Sequence, residues 1–240
     1  MDGETFSPDR AALFLDFDGT LVEIAPTPEA VTIPDDLPAL LERLSARLDG
    51  ALAVVSGRPM AQLDLYLPVP IVKVGDHGAA LRLAPEAPVT GPPLAVPPAE
   101  WRDRAERIAA AFPGAFVEHK THGLVLHYRQ APEAAAAARG LLATLVEDHP
   151  DFTLMPARMA WEVTPRAVSK GTAVATLLAR APFAGRQPLF VGDDVTDEAG
   201  MAAARAAGGV GLRLQDAFGT PAAFREWLAR FAADEAAIPS

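Results

Sequence analysis

Hydrophobic positions along the chain follow two patterns. Short apolar runs that break into polar or glycine-rich turns read as buried parallel strands, because a strand covered on both faces shows no polar alternation. Four such runs are AALFLDFDG (11–19), ALAVVSGR (51–58), PIVKVGDHG (70–78) and PLFVGDD (188–194). Between the first two, DDLPALLERLSARL (35–48) has helical spacing, with Leu37, Leu40, Leu41, Leu44 and Leu48 on one face. RPMAQLDLYL (58–67) predicts a helix after the second run, and SKGTAVATLLARA (169–181) and DEAGMAAARAAG (197–208) predict helices flanking the fourth. Strands alternating with helices predict an α/β fold, a doubly wound and mostly parallel sheet.

The middle of the chain departs from this alternation. APEAPVTGPPLAVPPAE (84–100) is proline-rich and reads as a linker. An amphipathic helix (101–112), strands near 115–118 and 123–129, a helix (132–148), and strands near 152–155 and 160–164 follow it. Helix–strand–strand, repeated, is an α+β pattern. The expected organisation is a core of residues 1–84 and 166–240, interrupted by an inserted α+β domain at 85–165. The turn before Trp161 reads P-A-R-M-A and lacks the glycine expected of a tight hairpin.

Composition adds limits. The 240 residues are half hydrophobic, enough for one large domain or two small ones. The absence of cysteine excludes disulfides and thiolate metal sites. The segment MDGETFSPDR lacks the basic-then-apolar pattern of a signal peptide, and no apolar run approaches the roughly 20 residues that span a bilayer. The expectation is a cytoplasmic, monomeric protein with no membrane partner. A net charge of −10 argues against a nucleic-acid partner. It does not exclude a small anionic substrate, because one metal ion and a few placed cations reverse a local potential.

Ligands of open α/β sheets bind beyond the carboxyl ends of the strands. Polar residues gather at all four predicted ends: Asp16 and Asp18; Ser56, Gly57 and Arg58; Gly75 to Gly78, including His77; and Gly192 to Asp194. Taken alone, Asp16 and Asp18 also read as turn or cap residues. A calcium loop does not fit, since Gly19 falls at position four, Thr27 at position twelve, and a strand precedes the segment.

Phosphoryl transfer from a monoester needs a nucleophile that is ionised at neutral pH, and a carboxylate meets that need. Asp16 is placed to attack phosphorus, and Asp18 to protonate the leaving alkoxide and then activate water. Two carboxylates facing a phosphate require Mg²⁺ between them, with Asp193 completing the oxygen ligands. Asp194, Asp197 and Glu198 are expected to tune the site or cap the next helix. Ser56, the amides of Gly19, Thr20 and Gly57, and Lys170 are candidate donors to the ester oxygens. Lys170 near a helix start also reads as a solvated lysine.

The segments D-F-D-G-T-L (16–21), S-G-R (56–58), Lys170 and G-D-D-V-T-D-E (192–198) resemble, in order, the four motifs of the haloacid dehalogenase superfamily. The resemblance implies Asp16 as nucleophile, Asp18 as general acid/base, Ser56 and Lys170 as phosphate binders, and a magnesium ion on Asp16, the Asp18 backbone carbonyl and Asp193. E-H-K (118–120), H-Y-R (127–129), W-E-V-T-P (161–165), S-K-G (169–171) and G-D-H-G-A (75–79) are similar to the trehalose-6-phosphate phosphatase family. This resemblance covers about residues 11 to 230. It implies a cap domain in which Glu118, Lys120, Arg129 and Glu162 grip a phosphosugar. Thr20, Gly57, Arg58 and His77 are further candidates on the substrate side, and His77, in a glycine-flanked turn, also reads as a residue that only satisfies backbone groups. Glu118, Lys120 and Arg129 also read as a solvated cross-strand charge cluster. Strand alternation sets His122 and His127 on opposite faces, against a zinc site with His119, and His119 carries no assigned role. Another sugar phosphatase or a phosphosugar mutase of the superfamily is the alternative function; a response-regulator-like switch would need neither Asp18 nor an inserted cap.

Overall fold

A computed structural model of the chain describes residues 8–84 and 86–233. The chain divides after Gly91 and after Val168 into two compact units. The expected core range also takes in residues 1–7 and 234–240, and the expected insertion takes in Pro85; these lie outside the described residues.

The first unit contains β1 (Ala11–Leu15), α1 (Leu37–Arg47), β2 (Leu52–Val55), α2 (Met60–Tyr66), β3 (Val72–Gly75) and β4 (Ala80–Arg82). The second unit holds α3 (Ala99–Ala110), β5 (Phe116–Lys120), β6 (Gly123–His127), α4 (Ala135–Glu147), β7 (Phe152–Ala157) and β8 (Ala160–Pro165). The chain then returns to the first unit with α5 (Lys170–Leu178), β9 (Gln187–Gly192), α6 (Glu198–Ala206), β10 (Val210–Arg213), α7 (Leu214–Ala217) and α8 (Pro221–Ala232).

In the first unit the strand order is β10-β9-β1-β2-β3-β4, parallel except for β4, which runs antiparallel to β3. Every residue of β1 is fully buried, as a central parallel strand requires. The chain winds outward in both directions from β1, so the switch point of the topology lies between β1 and β9. Register pairs Leu15 with Val191, so Asp16 and Asp193 leave the sheet within one residue of each other at that point. The leucine stripe of α1 is buried in the core. Helix α8 adds Phe224, Trp227, Leu228 and Phe231 to the same core. Thr220 caps α8 by accepting a hydrogen bond from Ala223 N at 3.2 Å.

Sequence periodicity assigns no element after residue 208, yet β10, α7 and α8 lie there. Strand β10 is only four residues long and Gly211 interrupts its apolar run, so neither alternation nor a sustained run marks it. Strand β4 has three residues, too few to show a period. The proline-rich stretch is not wholly a linker: Leu81 and Thr90 exchange backbone hydrogen bonds of 2.6 and 2.8 Å at the sheet edge. That exchange keeps residues up to Gly91 with the first unit. At the other end, Arg166 N donates to Asp151 O at 2.7 Å, which holds residues past 165 to the second unit.

The second unit is an antiparallel sheet of order β5-β6-β8-β7. Leu124, Leu126, Phe152 and Val163 form one core with Trp101 and Ala105 of α3 and Ala138, Leu142 and Leu145 of α4. Glu118 pairs with Val125, and Val125 with Glu162, so the two glutamates share the opposite face. The hairpin from β7 to β8 closes without glycine because Met159 takes the left-handed conformation, φ 53°. Among the described residues no helix is long and apolar enough to cross a membrane.

Candidate active site

Asp16 follows β1 directly, and its amide donates to Val191 O at 2.9 Å, which ties it to β9. Its side chain is 6% exposed. Oδ1 accepts from Lys170 Nζ at 2.5 Å, and Oδ2 accepts from the Thr20 hydroxyl at 3.0 Å. Lys170 is the first residue of α5, whose start is fixed by a reciprocal capping box between Ser169 and Thr172. A cation at a helix N-terminus opposes the helix dipole, so carboxylates must compensate it there. Asp16 is one; Asp197, fully buried, is the other, with Oδ1 2.6 Å from Lys170 Nζ. Burial alone would lower the Lys170 pKa, but these two carboxylates outweigh it and hold the ammonium well above its usual range.

Asp197 Oδ2 also accepts from the amides of Asp193 and Asp194, at 3.1 and 3.0 Å. The short 3₁₀ turn Val195–Asp197 folds this carboxylate back onto the end of β9. Oxygens of Asp16, Asp193 and Asp197 come within 4.8 Å of one another, and this group could hold a metal ion. Burial, then Asp197, push the Asp16 carboxyl well above the usual carboxylate range against the pull of Lys170. Burial, then Asp197 and Asp194, push Asp193 up to about 6. Carboxylates crowded in this way are hard oxygen donors that a divalent cation would relieve, so the residues fit one. Gly19, at φ +80°, is the residue that leaves room, since a Cβ there would lie 2.2 Å from Asp193 Oδ2.

The other expected site residues are placed as follows. The Asp18 carboxylate stands apart from the acidic group and is gripped by Arg58, Nε to Oδ2 at 2.6 Å and Nη2 to Oδ1 at 2.7 Å. Arg58, expected on the substrate side, is thus directed at a protein carboxylate. Thr20 is fully buried with its hydroxyl on Asp16. Its amide and that of Gly19 bond within the turn, to Phe17 O at 3.3 Å and Val22 O at 2.8 Å, because the chain reverses immediately after β1. Ser56 is buried, and its Oγ accepts from the Arg58 amide at 3.1 Å. His77, at φ 55°, lies against Gly57, where a Cβ would come within 2.3 Å of its ring. Asp194 caps the 3₁₀ turn through Val195 N at 2.6 Å and does not join the acidic group.

Sequence patterns did not single out Arg213, Gln62 or Tyr66. Arg213 donates to the Asp193 carbonyl at 3.1 Å and pairs with Glu198. Gln62 and Tyr66 both contact Arg58. The only available signal was position, one turn of helix apart just after S-G-R.

In the second unit, Lys120 Nζ donates to Glu162 Oε1 at 2.9 Å, and His127 Nε2 lies 2.9 Å from Glu118 Oε2. His127 lowers the Glu118 pKa through that hydrogen bond, against burial, with Lys120 adding to the effect. Arg129 is exposed beyond the end of β6. His119 pairs with Glu106 at 2.8 Å on the surface, and His122 meets the Ala95 carbonyl at 3.3 Å, so the three histidines take separate partners.

An acidic group at the switch point of a doubly wound sheet is found here on the fold of the haloacid dehalogenase-like hydrolases. One such hydrolase from B. subtilis covers 81% of this chain and 86% of its own, with a TM-score of 0.53 at 16% identity. The C-terminal domain of the C. albicans trehalose-6-phosphate phosphatase covers 94% and 93%, with a TM-score of 0.77 at 21% identity. The chain belongs to the trehalose-phosphatase family, which it matches over residues 14–214. It is 39% identical over 224 residues to the trehalose-6-phosphate phosphatase of Escherichia coli (strain K12), covering 91% of this chain and 81% of that protein.

Proposed function

We propose that the protein is a monomeric, cytoplasmic phosphatase that hydrolyses trehalose 6-phosphate to trehalose and inorganic phosphate. The observation that carries the reading is the Asp16 carboxylate, buried at the switch point and fixed by Lys170 and Thr20. Two hydrogen bonds orient it as a nucleophile, and the ammonium beside it supplies positive charge where a phosphoryl group would gather negative charge.

In the first step an Asp16 oxygen bonds to phosphorus and the phosphorus–sugar oxygen bond breaks, with Asp18 giving its proton to the departing alkoxide. In the second step water attacks the aspartyl phosphate and the Asp16–phosphorus bond breaks. Asp18 takes the water's proton, and phosphate leaves. Asp16 and Asp193, with the Asp18 backbone carbonyl, would hold Mg²⁺, which would supply positive charge against the phosphate and the carboxylates. Asp197 then keeps Lys170 in place and braces the Asp193 backbone. Ser56 and Lys170 serve the phosphoryl oxygens, with Gly57 and His77 beside them. Glu118, Lys120, Arg129 and Glu162 of the inserted unit read the sugar hydroxyls.

The test is phosphate release from trehalose 6-phosphate, glucose 6-phosphate and sucrose 6-phosphate, with and without Mg²⁺. Trehalose 6-phosphate should be preferred and EDTA should abolish turnover. Asp16→Asn should stay folded and inactive; substantial residual activity would exclude the covalent route.

A further inference from the structure

Arg58 sits in the S-G-R segment, where a phosphate contact is the simplest expectation, but the geometry points elsewhere. Its Nε–Nη2 edge meets both oxygens of Asp18, 40 residues earlier in the chain, at 2.6 and 2.7 Å. Such a fork fixes the plane of a carboxylate as well as its position. The guanidinium is itself held from several sides. Nη1 donates to Gln62 Oε1 of α2 at 3.0 Å. The Phe17 and Tyr66 rings, nearly parallel at 6° and 6.3 Å apart, have centroids 5.5 and 5.1 Å from Arg58 Cζ. The Arg58 amide donates to Ser56 Oγ at 3.1 Å.

The burial is unequal. Arg58 has a side-chain exposure of 8%, while Asp18 has 37%. An aspartate that exposed, on a turn, would otherwise sample several rotamers. Proton transfer requires the donor oxygen within about 2.6–3.2 Å of its target, so an unheld carboxyl would reach it only part of the time. Arginine does not give up its proton in proteins and cannot replace the acid itself.

We infer that Arg58 is a positioning residue that aims the Asp18 carboxyl at the leaving-group oxygen, with Gln62, Tyr66 and Phe17 as its mount. This rests on the proposed role of Asp18 as the acid. Lysine offers one point charge in place of a planar fork and does not reproduce the grip.

The experiment compares kcat/KM on trehalose 6-phosphate, whose alkoxide leaving group needs a proton, with kcat/KM on 4-nitrophenyl phosphate, whose phenolate leaves without one. Wild type, Arg58→Lys, Gln62→Leu and Asp18→Asn are measured in excess Mg²⁺, with melting temperatures as a folding control. The ratio of the two constants should fall about ten-fold or more in Arg58→Lys. It should fall in the same direction, by less, in Gln62→Leu. An equal loss on both substrates would make Arg58 a phosphate-binding or purely structural residue and overturn the inference. An unchanged ratio in Arg58→Lys alongside a depressed ratio in Asp18→Asn would overturn the inference alone. An undiminished ratio in Asp18→Asn would remove the acid role of Asp18, and this inference with it.

Discussion

Lys170 and Asp16 lie 154 residues apart in the chain, and their charged atoms are 2.5 Å apart in the fold. The same ammonium is 2.6 Å from Asp197, so one buried cation joins the end of β1 to the turn after β9. Removing it would leave two carboxylates facing each other in a site that already pushes Asp16 towards protonation. Lys170→Met is expected to lower kcat as well as raise KM in phosphate-release kinetics, because the charge acts on the reacting group. Denaturant titration should show a loss of about 3–5 kcal/mol, as for other buried ion pairs stripped of one partner. A rise in KM alone would reduce Lys170 to a binding residue.

Gly19 is needed for its lack of a side chain. Its left-handed φ of +80° penalises alanine, and so does the 2.2 Å separation that a Cβ there would have from Asp193 Oδ2. Gly19→Ala should cost about 1–3 kcal/mol from backbone strain. It should also cut turnover more than about ten-fold, since about 1.4 kcal/mol of misplacement suffices for that. Turnover close to wild type would show that Asp193 can shift without loss.

Selectivity is expected to reside in Glu118 and Glu162, because the carboxylates and Lys170 of the first unit have nothing that distinguishes one sugar from another. Charge-assisted hydrogen bonds contribute about 1.5–3 kcal/mol each. Glu118→Ala and Glu162→Ala should therefore lower the ratio of kcat/KM on trehalose 6-phosphate to that on a small aryl phosphate by roughly ten- to a hundred-fold. Equal losses on the two substrates would mean that the pairs with His127 and Lys120 hold the sheet together and do not read the sugar.

Asp64 supplies a test of pH-dependent stability away from the acidic group. Burial alone would raise its pKa, but hydrogen bonds and charge from Lys73, then Arg82, hold it below the ordinary value of 3.8. A carboxylate with a depressed folded pKa adds stability above its unfolded pKa and loses it as pH falls through the folded one. Asp64→Asn should therefore be less stable than wild type at pH 7, with the difference shrinking as the solution is acidified below about pH 4. Chemical denaturation at both pH values checks this; a gap that widens in acid would contradict it.

Much of the fold was legible in the chain because burial on both faces forces an apolar run, and a run that ends at a ligand rim must end in polar residues. The ends of β1, β2, β3 and β9 could be read for that reason, and with them Asp16, Ser56, His77 and Asp193. The leucine stripe of α1 was readable from its period. Strands β4 and β10 were not, since β4 has only three residues and Gly211 breaks the apolar run of β10.

The sequence by itself determined which residue types reach the rim, through the two-residue spacing of Asp16 and Asp18 and the run from Gly192 to Glu198. Only the tertiary structure decided how they pair. Thr20 bonds to Asp16, Arg58 grips Asp18, and Asp197 shares Lys170 with Asp16. Each pairing depends on strand register and on rotamers set by packing from other segments, such as the Phe17 and Tyr66 rings beside Arg58. Local spacing records neither, because residues brought together across 40 or 154 positions share no periodicity along the chain.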